Sequence, residues 1–108
     1  MTYANDRLSS VFAALADPTR RSIFDDLMDG PKSVTALAET KSVSRPAVSQ
    51  HLKILDAAGL VTADKQGSHR IYAARQEGLD ALRTYLSKAW DESLQAYAAE
   101  ISKRNRSR

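Results

Sequence analysis

The sequence predicts a mainly α-helical domain, about five helices with one small β-hairpin, and three observations carry that prediction. Apolar residues recur at intervals of three and four along most of the chain, the spacing of one helix face. One stretch, Leu60 to Ala73, is instead β-prone on both sides of Lys65-Gln66-Gly67-Ser68, a turn containing glycine. Residues with capping or helix-ending chemistry, Asp17, Ser33, Ser44 and Gly59, stand where the periodic segments should begin or stop. At 108 residues the chain should make one domain with a modest core, and such chains often gain stability by dimerising.

Leu8, Val11, Phe12 and Leu15 have the spacing of an amphipathic first helix. Ala16-Asp17-Pro18 closes it and opens a second, because Asp17 is a good N-cap and Pro18 fits the first helical position. The second helix runs to about Met28 with Ile23, Phe24 and Leu27 inward, and stops at Asp29-Gly30-Pro31. Arg20 and Arg21, near its start, are expected to be solvated. Ser33 can cap a short third helix with Val34, Leu37 and Ala38 inside, ending in the polar segment Glu39-Thr40-Lys41-Ser42.

The fourth helix, Ser44 to Ala58, carries the strongest signals. Ser44 can accept from free amides of the first turn, Pro46 is tolerated there because those amides lack partners, and Gly59 suits a left-handed residue past the end. Val43 and Val48 occupy the positions of a hydrophobic staple. Val48, Leu52 and Leu55 lie along one face, while Pro46, Ser49, Gln50 and Lys53 fall on the other, with Arg45 on the flank. A solvated side would carry more Glu and Lys; Ser, Gln and Arg suit base edges in a major groove. His51 lies between the two faces, where a hydrogen-bonded, half-buried role weighs as much as a DNA contact.

The hairpin follows directly, and Lys65, Gln66, His69 and Arg70 sit at its tip and shoulders. A two-stranded ribbon alone is marginal in water and must pack on the helices. Two short helices joined by a turn and followed by a basic hairpin make a winged helix-turn-helix. The last helix, Gln76 to Ile101, carries Leu79, Leu82, Leu86, Trp90, Leu94, Tyr97 and Ile101 on one stripe. A three-helix core cannot cover a stripe on the order of 30 Å long, so a second copy of the same helix is the economical partner. The expected dimer interface is Leu8, Phe12, Leu82, Leu86, Trp90, Leu94 and Tyr97. Residues 1–102 are read as this single domain, with dimerisation helices at both ends, and 103–108 as a basic, disordered tail.

Charge is distributed in blocks. Residues 1–40 carry a net −2, 41–75 a net +4, 76–102 a net −3 and 103–108 a net +4. Positive charge thus gathers on the fourth helix, the hairpin and the C-terminus, as a phosphate-facing surface on an acidic body requires. Phosphate contacts are expected from Lys41, Lys53, Lys65 and Arg70, and base discrimination from Arg45, Ser49 and Gln50. Two copies should bind a palindromic site in double-stranded DNA, with half-site centres roughly 10 bp apart or a multiple of that. A helical protein-interaction module with incidental DNA affinity is the competing expectation.

Other classes find little support. No Ser/His/Asp arrangement, phosphate-cradling glycine loop or metal-ligand cluster stands in the sequence, so neither an enzyme nor a cofactor is expected. There is no cysteine, hence no disulfide or thiolate metal site. No run of about 18 apolar residues suggests a membrane span, and residues 1–7 lack the apolar run of a signal peptide, so a cytoplasmic location is expected.

Four segments carry a resemblance: Ala14-Leu15-Ala16-Asp17-Pro18-Thr19-Arg20-Arg21, Ser44-Arg45-Pro46-Ala47-Val48-Ser49-Gln50-His51-Leu52-Lys53-Ile54-Leu55, Ala58-Gly59-Leu60-Val61 and Gly67-Ser68-His69-Arg70-Ile71-Tyr72. In this order and spacing they resemble the ArsR/SmtB-type winged helix-turn-helix repressors of bacteria, over about Leu8 to Tyr97. The resemblance implies a homodimer joined through the first and last helices and a two-fold operator. It also implies that Arg45, Pro46, Ser49 and Gln50 lie at bases or adjacent phosphates, with Arg70 on the wing; Ser44, at the helix start, is counted with the DNA-binding candidates as well. Metal sensors of that family place cysteines where Ser33-Val34-Thr35 stands here, so the likeness is to its cysteine-free members. It leaves the inducer, or a protein antagonist, unnamed.

Overall fold

The caps set the helix starts. The computed structural model describes the backbone of residues 3–106 and the side chains of 6–105. Its elements are α1 (Tyr3–Ala16), α2 (Pro18–Met28), β1 (Lys32–Ser33), α3 (Val34–Thr40), α4 (Arg45–Ala57), β2 (Val61–Gln66), β3 (His69–Ala74) and α5 (Gln76–Arg106). The Asp17 carboxylate accepts from the Arg20 amide at 2.8 Å, the Ser33 hydroxyl from Ala36 at 3.1 Å and the Ser44 hydroxyl from Ala47 at 3.2 Å. Each satisfies an amide that has no partner within its own helix. At the far end of α4, Gly59 has φ +76°, the left-handed conformation that lets the chain reverse at low cost.

The core is one cluster. Val11 and Ala14 of α1, Ile23, Phe24 and Leu27 of α2, Leu37 of α3, and Val48, Leu52 and Leu55 of α4 are buried together with Leu60, Val61 and Tyr72. α4 therefore buries the face its periodicity assigns, which turns Pro46, Gln50 and Lys53 outward.

The expected two-stranded wing is present as β2 and β3, and a third strand joins it: Lys32 and Ser33 pair with Tyr72 and Ile71, giving the antiparallel order β1-β3-β2. Two residues have no period to read, so β1 exists only through its partner. It ties the wing's base to the residue that caps α3. The hairpin strands are also longer than the β-prone runs, which leaves Gly67 and Ser68 as a two-residue turn. Only Gly67 has positive φ, at +62°, which is the type II′ requirement of glycine at the first central position.

α5 corrects a second expectation. Residues from 103 onward were expected to be disordered, yet the helix continues through Arg106, and residues 107–108 lie outside the described residues. Glu100 faces Arg104 at 3.7 Å one turn on, and cations in a last helical turn complement the helix dipole. At 31 residues α5 is about 46 Å long, far more than the helical body can cover. The molecule measures 71 × 30 × 20 Å as a result.

The start of α5 is held closely. Gly78 is buried, its amide donates to the Gly59 carbonyl at 2.9 Å, and a Cβ there would meet the Ala58 carbonyl oxygen and Leu60 at 2.9 Å. Only a glycine lets the helix approach the end of α4 this closely. α1 packs along α5, with Phe12 and Tyr85 edge-to-face at 5.7 Å.

Candidate nucleic-acid interface

α4 and the wing together present one basic face. Arg45, Pro46, Gln50 and Lys53 are exposed on the outer side of α4, and Ser49 is half-buried beside them. Lys65 and Arg70 are exposed on the wing and stand directly opposite one another across β2 and β3. Like charges in that relation repel and weaken a hairpin, so their placement costs stability that a polyanion would return. Between helix and wing lies a groove of about 530 Å³, lined by Thr35, Arg45, Pro46, Ser49, His69 and Arg70 among others, and no carboxylate lines it. β1 sets this geometry, because it fastens the wing beside the start of α3.

Arg45 is directed by α3. Its Nη1 donates to the Thr35 hydroxyl at 3.4 Å, which leans the guanidinium along the groove. Ser44 keeps its hydroxyl on the Ala47 amide, so its side chain is occupied as a cap.

Two residues expected at DNA are engaged elsewhere. Lys41 Nζ lies 2.7 Å from an Asp26 carboxylate oxygen and donates to the Ser22 hydroxyl at 2.6 Å, with its side chain only 16% exposed. A phosphate contact would require breaking both, so Lys41 is a tie between α2 and the α3–α4 turn. His51 is half-buried, and its Nδ1 accepts from Arg20 Nη1 at 3.3 Å. It faces the protein.

Arg20 was expected to be solvated. Its Nε instead donates to the Ala14 carbonyl at 2.7 Å and its Nη2 to the Ala13 carbonyl at 3.3 Å, while Arg21 Nη1 donates to Leu15 at 2.7 Å. Both arginines satisfy carbonyls in the last turns of α1 that have no helical partner. The only local sign was their position just past an N-cap. The Asp17 carboxyl is held below the usual carboxylate range, chiefly by the hydrogen bond from the Arg20 amide, with the Arg20 charge adding to it against desolvation.

The expected dimer residues divide into two sets. Leu8 and Leu82 are half-buried, and Leu82 packs on the chain's own core. Phe12, Leu86, Trp90, Leu94 and Tyr97 stay exposed, Trp90 at 68% and Tyr97 at 66%, with Tyr85 and Ile101 beside them. Monomeric proteins seldom leave so continuous an apolar surface in water.

Comparison with known proteins agrees with this architecture. A helix-turn-helix domain model matches residues 15–63. An ArsR-like transcriptional regulator from Rhodococcus is similar in structure, with a TM-score of 0.74 and 37% identity over 89% of this chain and 93% of its own. The HTH-type transcriptional regulator Rv2034 of Mycobacterium tuberculosis is 51% identical over 82% of both chains. The chain belongs to the ArsR/SmtB-type family. A Bacillus subtilis relative, the transcriptional repressor SdpR, is 31% identical over 75% of this chain and 94% of its own. A Mycobacterium bovis member, described as a homodimeric winged helix-turn-helix DNA-binding domain, has a TM-score of 0.66 and 30% identity over 84% of each chain.

This ArsR-type chain carries no cysteine, and Thr35 in α3 serves as a partner for Arg45. Among the described residues no three His, Asp or Glu side chains converge as a metal site would need, and no helix is long and apolar enough to cross a membrane.

Proposed function

We propose that the protein is a dimeric transcriptional repressor that binds a palindromic operator, with one α4 in each major-groove half-site and the wing on the flanking backbone. The basic, carboxylate-free groove between α4 and the wing carries this reading. Phosphates are held by Lys53, Lys65 and Arg70, bases are read by Arg45, Ser49 and Gln50, and Pro46 packs at the groove edge. Lys41, Ser44 and His51 are left out because the Lys41 ammonium, the Ser44 hydroxyl and His51 Nδ1 are engaged within the chain. The role is non-catalytic and the location cytoplasmic.

The dimer forms through α1 and α5. Trp90 is the midpoint of the apolar stripe from Leu79 to Ile101, so two α5 helices running antiparallel would place Trp90 on the two-fold axis. Leu86, on the same side of the helix as Trp90, then faces Leu94 of the partner subunit.

The test is fluorescence anisotropy with DNA from upstream of the protein's own gene and with a random duplex, across a salt series. Binding that is salt-sensitive and prefers one sequence supports the reading. Gln50→Ala should cost about 1–3 kcal/mol on the operator and relax discrimination at one base position. Equal losses on both DNAs would refute the role assigned to Gln50.

A further inference from the structure

Direct packing between the dimerisation helix α1 and the DNA-facing helix α4 is thin. A groove of about 220 Å³ separates them, lined by Ser10, Ala13, Ile54 and Ala57, side chains mostly too short to bridge it. Two guanidinium groups span the gap. At one end Arg7 Nη1 donates to the Ala58 carbonyl at 3.3 Å, just past the end of α4. At the other, Arg20 holds the Ala13 and Ala14 carbonyls of α1 and offers its remaining Nη1 to His51 in the middle of α4.

The Arg20 bridge is directional. A guanidinium is planar, with its donors in a fixed fork, so two bonds to α1 determine where the third points. The backbone of Arg20 is held as well, because its amide donates to the Asp17 cap. His51 lies between exposed Gln50 and buried Leu52, so whatever holds its ring holds the rotation of α4 about its own axis. That rotation decides whether Ser49 and Gln50 face the bases.

We propose that Arg20 is a positioning residue for DNA recognition, setting α4 against α1 through His51 and so coupling the dimer face to the reading face. The inference rests on the DNA reading above.

The experiment measures operator and random-duplex affinity of the full chain, with dimer mass and thermal stability alongside. Arg20→Met removes the bond to His51 together with the two to α1 and should weaken operator binding at least about tenfold, leaving the salt slope unchanged. His51→Ala leaves the Arg20 bonds to α1 intact and should give a similar loss, so the result does not depend on Arg20→Met folding. The double variant should lose no more than either single one. His51→Asn keeps an acceptor near the Nδ1 position and should bind the operator nearly as the wild type does.

Wild-type operator affinity in both His51→Ala and Arg20→Met would overturn the proposal. So would a reduced salt slope in Arg20→Met, which would make Arg20 a phosphate contact, or a loss in His51→Asn as large as that in His51→Ala. Absence of any sequence preference in the wild type would refute the DNA reading itself, and this inference with it.

Discussion

Lys53 and Lys41 are two cations of the same helix-turn-helix that the structure treats oppositely, and their alanine variants should separate cleanly. Lys53, Lys65 and Arg70, the residues assigned to phosphate, are exposed on the interface, three per subunit and so six in a dimer. If each meets a phosphate, log affinity should fall against log salt with a slope of about −5.4, or roughly 2,000-fold between 50 and 200 mM salt. Lys53→Ala removes two contacts from the dimer, which should reduce the slope to about −3.6 and that loss to roughly 150-fold. Lys41→Ala should leave the slope unchanged, because its ammonium is occupied by Asp26 and Ser22. It should instead cost roughly 1.5–3 kcal/mol of stability, as the loss of charged hydrogen bonds to a half-buried carboxylate. Anisotropy at five or six salt concentrations gives the slopes, and thermal unfolding followed by circular dichroism gives the stability. A reduced slope in Lys41→Ala with unchanged stability would show that the ion pair opens on DNA, and the reasoning from the structure would fail.

Three further outcomes are expected. Gly78→Ala gains about 0.5–1 kcal/mol of helix propensity but loses about 1–3 kcal/mol to the 2.9 Å contacts with Ala58 and Leu60, so the melting temperature should fall; a rise would mean that α5 can move away freely. Trp90→Glu places a carboxylate at the midpoint of the α5 stripe and should shift the mass measured by light scattering from dimer to monomer at micromolar concentration, whereas an unchanged mass would rule out α5 pairing centred there. The Asp17 carboxyl titrates below its unfolded value, so its stabilising effect is full above about pH 4 and fades as pH falls through the lower folded value; Asp17→Asn should therefore be less stable near neutrality and flatter through the acid limb, and a parallel acid limb would refute the assignment.

Much of the candidate site was legible in local sequence because its chemistry is local. Ser44, Pro46 and Gly59 delimit α4 through groups within a few residues of one another, and the i, i+4, i+7 spacing of Val48, Leu52 and Leu55 assigns its buried side. The apolar stripe on α5 and the positive charge of residues 41–75 likewise need no partner to be counted.

What the tertiary structure decided depends on partners distant in sequence, where periodicity carries no information. Lys41 looked like any basic residue near a recognition helix until Asp26, fifteen positions earlier, was placed beside it. Arg20 and His51 are 31 residues apart, and only the packing of α1, α2 and α4 turns a solvated arginine and an ambiguous histidine into a bridge. β1 has two residues and no pattern of its own, yet its pairing with β3 fixes where the wing stands. The sequence by itself thus determined the helices, their buried faces and the sign of the surface charge. Which of those charges are free to meet a phosphate was decided by the fold, since an exposed cation and one already paired inside the chain are the same letter until their neighbours are known.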